Sequence, residues 1–144
     1  MSIEKKHDSS FHVDFYAAER VFYQGLLEFV AVPSLDGEYG VLCEHENAVV
    51  AIVPGVLKYK HCGADEIGIV AVSDGMMRIE NGRVLILVES AERPEEIDEN
   101  RARREADEAK EAMLQKKSIH DYYLAEAVMY RATNRLKVKK RHRG

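Results

Sequence analysis

MMRIENGRVLILV, Met76–Val88, decides how the first two thirds of this 144-residue chain fold. Asn81-Gly82 sits between two runs rich in apolar and β-branched residues, and it supplies the two positive φ angles that a two-residue type I′ hairpin requires. Strand, tight turn and strand follow. On either side the same grammar repeats in short runs rich in Val, Ile, Phe and Tyr: FHVDFYA, LEFVAVPS, GVLKYKH and IGIVAVS. Gly25, DGEYG (Asp36–Gly40), Pro54-Gly55, CGADE (Cys62–Glu66) and SDG (Ser73–Gly75) punctuate them. Many short strands predict an all-β sandwich or barrel over residues 11–92, after a polar N-terminal segment at 1–10.

The hydrophobic period changes just past Glu92. From Pro94 onward β-branched residues become scarce while Ala, Glu, Lys, Arg and Met dominate, the composition of helix. Pro94 suits a first helical turn, and Glu95, Glu96 and Asp98 suit the positive end of a helix dipole, so a helix is expected to start near Pro94. Ala102, Ala106, Ala109 and Met113 form one apolar seam at helical spacing, and Tyr122, Ala125, Met129, Ala132 and Leu136 form another. Between them KKSIHD places Lys116 and Lys117 at the negative end of the first helix, with Ser118 or Asp121 to cap the second. Residues 93–144 are therefore expected to form an antiparallel α-helical hairpin with a basic tail. Its alanine seam buries little apolar area, so the hairpin is expected to be marginal and a candidate moving part.

Charge divides at the same point. Residues 1–92 carry 15 Asp and Glu against 7 Lys and Arg, whereas residues 93–144 carry 10 against 14. The densest cationic stretch is RLKVKKRHRG, Arg135–Gly144, which suits an acidic partner, nucleic acid or anionic lipid. A nucleic-acid-binding β module with a basic helical tail is thus an alternative, opposed by the acidity of the β part and its lack of a basic-aromatic strand face; no nucleic acid is expected. No apolar run is long enough to cross a bilayer, and the N-terminus lacks an apolar signal core, so a soluble protein is expected. Cys43 and Cys62 form no C-x-x-C and are expected to be reduced thiols.

Catalytic patterns are missing from the sequence. No phosphate-binding loop, dinucleotide fingerprint, H-E-x-x-H or nucleophile elbow occurs. The best metal-like grouping, Cys43, His45 and Glu46 with His61, lacks the ordered spacing of a cupin metalloenzyme, the third alternative. No metal site and no catalytic residues are expected, so the chain is predicted not to be an enzyme on its own.

Four stretches in order then resemble one family: DGEYGVLCEH (Asp36–His45), VPG (Val53–Gly55), VSDGMMRIENGRVLILVESAE (Val72–Glu92) and AVMYRATNRLKV (Ala127–Val138). Together with the order of elements, they resemble the epsilon subunits of F-type ATP synthases over about Phe11–Val138. The sequence departs from that pattern at Ala17-Ala18, where the family often has Thr-Pro, and at Cys43-Glu44, where it often has Pro-Gly. The resemblance implies a β-sandwich followed by a helical hairpin, acting as a rotor subunit of the central stalk. It implies contact with the gamma subunit, the c-subunit ring and the alpha/beta catalytic hexamer, at the cytoplasmic face of the membrane. It also implies that the hairpin either folds or extends along gamma to inhibit ATP hydrolysis. In the extended form Arg131, Arg135, Lys137, Lys139 and Lys140 would meet an acidic partner loop.

The resemblance also bears on EEIDENRARR, Glu95–Arg104, with its four acids and three arginines. Some bacterial members bind ATP through Ile or Leu, Asp, two variable residues, Arg and Ala, with two arginines on the second helix. Ile97, Asp98, Arg101, Ala102, Arg131 and Arg135 match that pattern, and Glu92 stands at the position of a further acidic ligand. Asp98 and Arg101 lie three apart and Arg131 and Arg135 four apart, so each pair shares a helix face. Carboxylates accept from the adenine amino group, and guanidinium forks suit phosphate. No cofactor is required; ATP is the expected regulatory ligand. Glu95, Glu96, Glu99, Arg103 and Arg104 are assigned to the solvated face, where Arg101 also has Glu105 as an available partner.

Overall fold

A computed structural model describes residues 9–115 and 117–143, so the segment predicted over 1–10 and Lys116 fall largely or wholly outside the described residues. The chain divides into two compact units, Met1–Ala91 and Glu92–Gly144.

Among the described residues of the first unit ten strands, the last shared with the start of the second, form two five-stranded sheets, a sandwich. They are β1 (Phe11–Ala17), β2 (Arg20–Leu27), β3 (Phe29–Ser34), β4 (Gly37–Val41), β5 (Ala48–Ile52), β6 (Gly55–Lys60), β7 (Gly68–Val72), β8 (Gly75–Glu80), β9 (Arg83–Val88) and β10 (Ala91–Glu92). One sheet runs β2-β1-β9-β8-β5 and the other β10-β7-β6-β3-β4. The β8–β9 hairpin sets Glu80 opposite Arg83, and Asn81 and Gly82 take φ of 51° and 78°, the type I′ turn. Asn47 Oδ1 accepts the Asn81 N–H at 2.9 Å. Alternation then directs Val13, Phe15, Met77 and Ile86 from one sheet and Val32 and Leu57 from the other into a shared core.

Four strands escape the sequence pattern, β2, β4, β5 and β10, and each is a sheet edge. In β2 and β4 the charged, polar and glycine residues that an edge tolerates weaken the apolar signal. By contrast β5, AVVAI, is apolar throughout and shows no alternation, and β10 has only two residues. Gly25 lies within β2 opposite Val13 rather than at a turn, and the DGEYG turn shrinks to Leu35-Asp36 because Gly37–Val41 is strand. A bulge near Phe15 and Tyr16 leaves Phe22 as the extra residue of β2, its ring 4.7 Å from that of Phe15.

The two departures from the family pattern have local consequences. Ala18 donates its N–H to the Glu89 carbonyl at 3.3 Å, a bond that proline lacks the hydrogen to make. Glu44 adopts φ of 63°, the left-handed region in which glycine is unstrained.

The second unit contains a 3-10 turn (Pro94–Glu96), α1 (Glu99–Leu114) and α2 (Ile119–Arg143). The α-helix therefore starts five residues later than Pro94. Ile97 and Asp98 are extended, with ψ of 123° and 102°, and they separate the proline turn from α1. Glu95 and Glu96 belong to that turn, and Asp98 caps α1 instead. Ser118 caps α2, its Oγ accepting the Asp121 N–H at 3.0 Å.

Arg135 meets Glu105, while Lys139, farther along, meets Pro94, earlier in the chain, so α1 and α2 run antiparallel. The buried seam comprises Ala102 and Ala109 on α1 and Ala125 and Ala132 on α2. Tyr122 is exposed in the first turn of α2, outside the seam expected to include it. Val138 rather than Leu136 is fully buried at the far end, where α2 also runs beside the Pro94–Glu96 turn. That turn offers a second packing surface invisible to a two-helix pattern. No helix among the described residues is long and apolar enough to cross a membrane.

Candidate functional site

The Ile-Asp-x-x-Arg-Ala pattern is first of all a helix start. Asp98 is the N-cap of α1, its Oδ1 accepting the Arg101 N–H at 3.1 Å. Ile97 and Ala102 fall at the two positions of a hydrophobic staple around that cap, and both are buried. Cap and staple fix the direction in which α1 leaves the turn. They also leave the second Asp98 oxygen without a capping duty, since the cap engages Oδ1.

The charged members converge across the helices. Arg135, on α2, sets Nε 2.6 Å from Glu92 Oε1 and donates from Nη2 to Glu92 Oε2 at 3.2 Å. The Nε contact is a charge contact off the hydrogen-bond direction; the aligned bond is the one through Nη2. Arg135 Nη1 donates to Glu105 Oε2 at 3.2 Å, and Arg101 Nε donates to Glu105 Oε1 at 3.0 Å. Arg135 thus joins Glu92 to Glu105, and Glu105 in turn joins Arg135 to Arg101. Arg131, one turn before Arg135, is exposed and forms no ion pair among the described residues.

Glu105 is the member that the motif did not include. Its position four residues after Arg101 is visible in sequence, but its link to Arg135 depends on the register between helices. The geometry offers two guanidinium groups, from two helices, to one anionic group.

The expected basic cluster divides. Arg135 is engaged by the two carboxylates, and Lys139 Nζ donates to the Pro94 carbonyl at 3.0 Å. Arg131, Lys137 and Lys140 are exposed to an approaching partner. On the solvated face Arg103 pairs with Glu99 and Arg93 with Glu96.

Cys43, His45, Glu46 and His61 do not form a metal centre. His45 Nδ1 lies 2.7 Å from the Glu46 carbonyl, which makes it the donor and leaves Nε2 to accept from the Tyr39 hydroxyl at 3.3 Å. His61 packs edge-on between Tyr23 and Tyr59. Among the described residues no three His, Cys, Asp or Glu side chains cluster to hold a metal ion. Both cysteines are free thiols.

Comparison with known proteins matches both units. The beta-sandwich domain of the ATP synthase delta/epsilon chain matches residues 10–94, and its long alpha-helix domain matches residues 95–140. The ATP synthase epsilon chain of Desulforamulus reducens is 35% identical over 125 residues, covering 87% of this chain and 93% of the relative. That of Herpetosiphon aurantiacus is 37% identical over 131 residues, covering 91% and 95%. In fold, the chain is similar to one in the Euglena gracilis mitochondrial ATP synthase OSCP/F1/c-ring structure, with TM-score 0.75, 20% identity and coverage of 92% and 80%. Another, in the Tetrahymena thermophila mitochondrial ATP synthase central stalk/c-ring structure, has TM-score 0.59, 12% identity and coverage of 89% and 95%. The chain belongs to the ATP synthase delta/epsilon family and is an epsilon chain within it.

Proposed function

We propose that this epsilon chain is a non-catalytic rotor subunit in the central stalk of a proton-translocating F-type ATP synthase, with a helical hairpin that senses ATP. Its similar folds come from F1/c-ring and central stalk/c-ring assemblies, which supports the gamma subunit, the c-subunit ring and the alpha/beta hexamer as partners. The sandwich would dock at the cytoplasmic face of the membrane, and the hairpin would inhibit hydrolysis when it opens toward the hexamer. Exposed Arg131, Lys137 and Lys140 are then available to an acidic partner surface, joined by Arg135 and Lys139 once their own contacts part.

The observation that carries the nucleotide part is the convergence of Arg101 and Arg135, from two helices, on one carboxylate, with Glu92 against Arg135. Guanidinium groups would hold phosphate oxygens, and Glu92 with the uncapping oxygen of Asp98 would accept from the adenine amino group. A nucleotide held by both helices favours the closed hairpin by mass action and so relieves inhibition. The seam suits such a switch, since each buried alanine contributes one methyl, about 0.8 kcal/mol.

Calorimetric titration of the chain with ATP, with and without magnesium, tests this beside an Arg131→Ala, Arg135→Ala double variant. Binding in the cellular ATP range that the variant loses supports a nucleotide latch. Equal binding by both chains, or none by either, removes it. Copurification with a gamma subunit tests the rotor assignment separately.

A further inference from the structure

We infer that Glu105 is a built-in occupant of the phosphate end of this site, an intramolecular carboxylate that Arg101 and Arg135 bind when no polyphosphate is present. The inference rests on the nucleotide site proposed above and adds its regulation.

An Arg–Glu pair four apart on an exposed helix face is ordinary, and Arg101 with Glu105 at 3.0 Å is one. The second oxygen of Glu105 sets it apart. It accepts at 3.2 Å from Arg135, 30 positions on and carried by the other helix. One carboxylate thus spends each oxygen on a guanidinium from a different helix, the way a phosphate group would bridge them. Arg135 is only 17% exposed in its side chain and already faces Glu92, so Glu105 is the second carboxylate on its buried charge when the hairpin is closed. Glu105 is 34% exposed, able to rotate into solvent when a stronger anion arrives.

Two consequences follow. The closed hairpin is held by its own carboxylate without nucleotide, and an entering polyphosphate must displace Glu105 or endure its repulsion. Either way Glu105 lowers affinity and moves the response toward high ATP concentration.

The test compares the full chain with Glu105→Gln, using Glu111→Gln as a charge-matched control elsewhere on α1. Inorganic tripolyphosphate, which has the anion without the base, and ATP are titrated by calorimetry. Glu105→Gln is expected to bind tripolyphosphate about fivefold more tightly than the unmodified chain, with Glu111→Gln unchanged. No gain for Glu105→Gln, or an equal gain for Glu111→Gln, overturns the inference. A tripolyphosphate gain with no ATP binding by any chain sustains the role of Glu105 while the nucleotide reading fails. ATP binding that Glu105→Gln leaves unchanged, without a tripolyphosphate gain, sinks the inference and spares that reading. Glu105→Ala, which raises helix propensity, must give the same ordering and guards against a folding defect of the Gln variant.

Discussion

Arg135 Nε lies 2.6 Å from Oε1 of Glu92, a residue 43 positions earlier in the chain. That pair, extended by Glu105, ties the far part of α2 back to the start of its unit. The guanidinium is mostly buried, so its loss leaves the Glu92 and Glu105 carboxylates without their shared cation. Arg135→Ala is predicted to destabilise the closed hairpin by about 1–2 kcal/mol. Faster amide exchange along α1 and α2, with the sandwich unaffected, is the expected signature. Arg135→Lys restores the charge but not the fork and should recover only part of the protection.

Glu44 at φ 63° carries strain that a glycine would not. A left-handed L-residue costs about 1 kcal/mol, and the greater freedom of glycine in the unfolded chain takes back part of the gain. Glu44→Gly is therefore predicted to stabilise the sandwich by about 0.5 kcal/mol, raising its Tm by about 2–4 °C. An unchanged or lower Tm would show that the Glu44 side chain compensates for its own backbone.

These two cases show where sequence suffices and where it stops. The β8–β9 turn was legible because Asn-Gly is nearly a geometric statement, and the sandwich followed from repeated short apolar runs. The edge strands were not legible because polar residues and glycine dilute the apolar pattern of β2 and β4, β5 lacks alternation, and β10 has only two residues. On the helices, Ala102, Ala109, Ala125 and Ala132 were visible from spacing, whereas Val138 depends on a turn whose position no helical period encodes. Asp98, Arg101, Arg131 and Arg135 were found through a motif. That Asp98 is a cap is a local fact, settled by where α1 begins, whereas that Glu105 bridges two arginines is a fact of register, set only when α1 and α2 pack.

On the outer face of β1, Asp14 gathers His12 at 2.9 Å and Gln24 at 3.2 Å on one oxygen, with Arg83 at 3.6 Å from the other. The His12 hydrogen bond is the largest influence on the Asp14 carboxyl; desolvation opposes it, and Gln24 with the nearby positive charge tips the balance so that the group stays below its usual 3.8. A depressed folded-state value stabilises the fold above the ordinary carboxylate range, and that contribution is lost as pH falls through the lowered value. Asp14→Asn is predicted to be less stable than the unmodified chain at neutral pH, with the gap closing below 3.8. Denaturant titrations of both chains across that range check the sign; a gap that widens on acidification would contradict it.

Asp98 separates its structural duty from its proposed chemical one. Oδ1 accepts the Arg101 N–H, and the binding proposal assigns the other oxygen to the adenine amino group. Asparagine is an equally good cap, but with its oxygen turned to Arg101 it presents an NH₂ where adenine also presents a donor. Asp98→Asn is therefore expected to preserve helix content while weakening ATP binding about tenfold, and to leave tripolyphosphate binding unchanged. Asp98→Ala should lose the cap as well, costing about 1 kcal/mol of helix stability. Circular dichroism and calorimetry on the two variants distinguish these effects. If Asp98→Asn binds ATP as the unmodified chain does, Asp98 is a helix cap alone, and recognition of the base falls to Glu92.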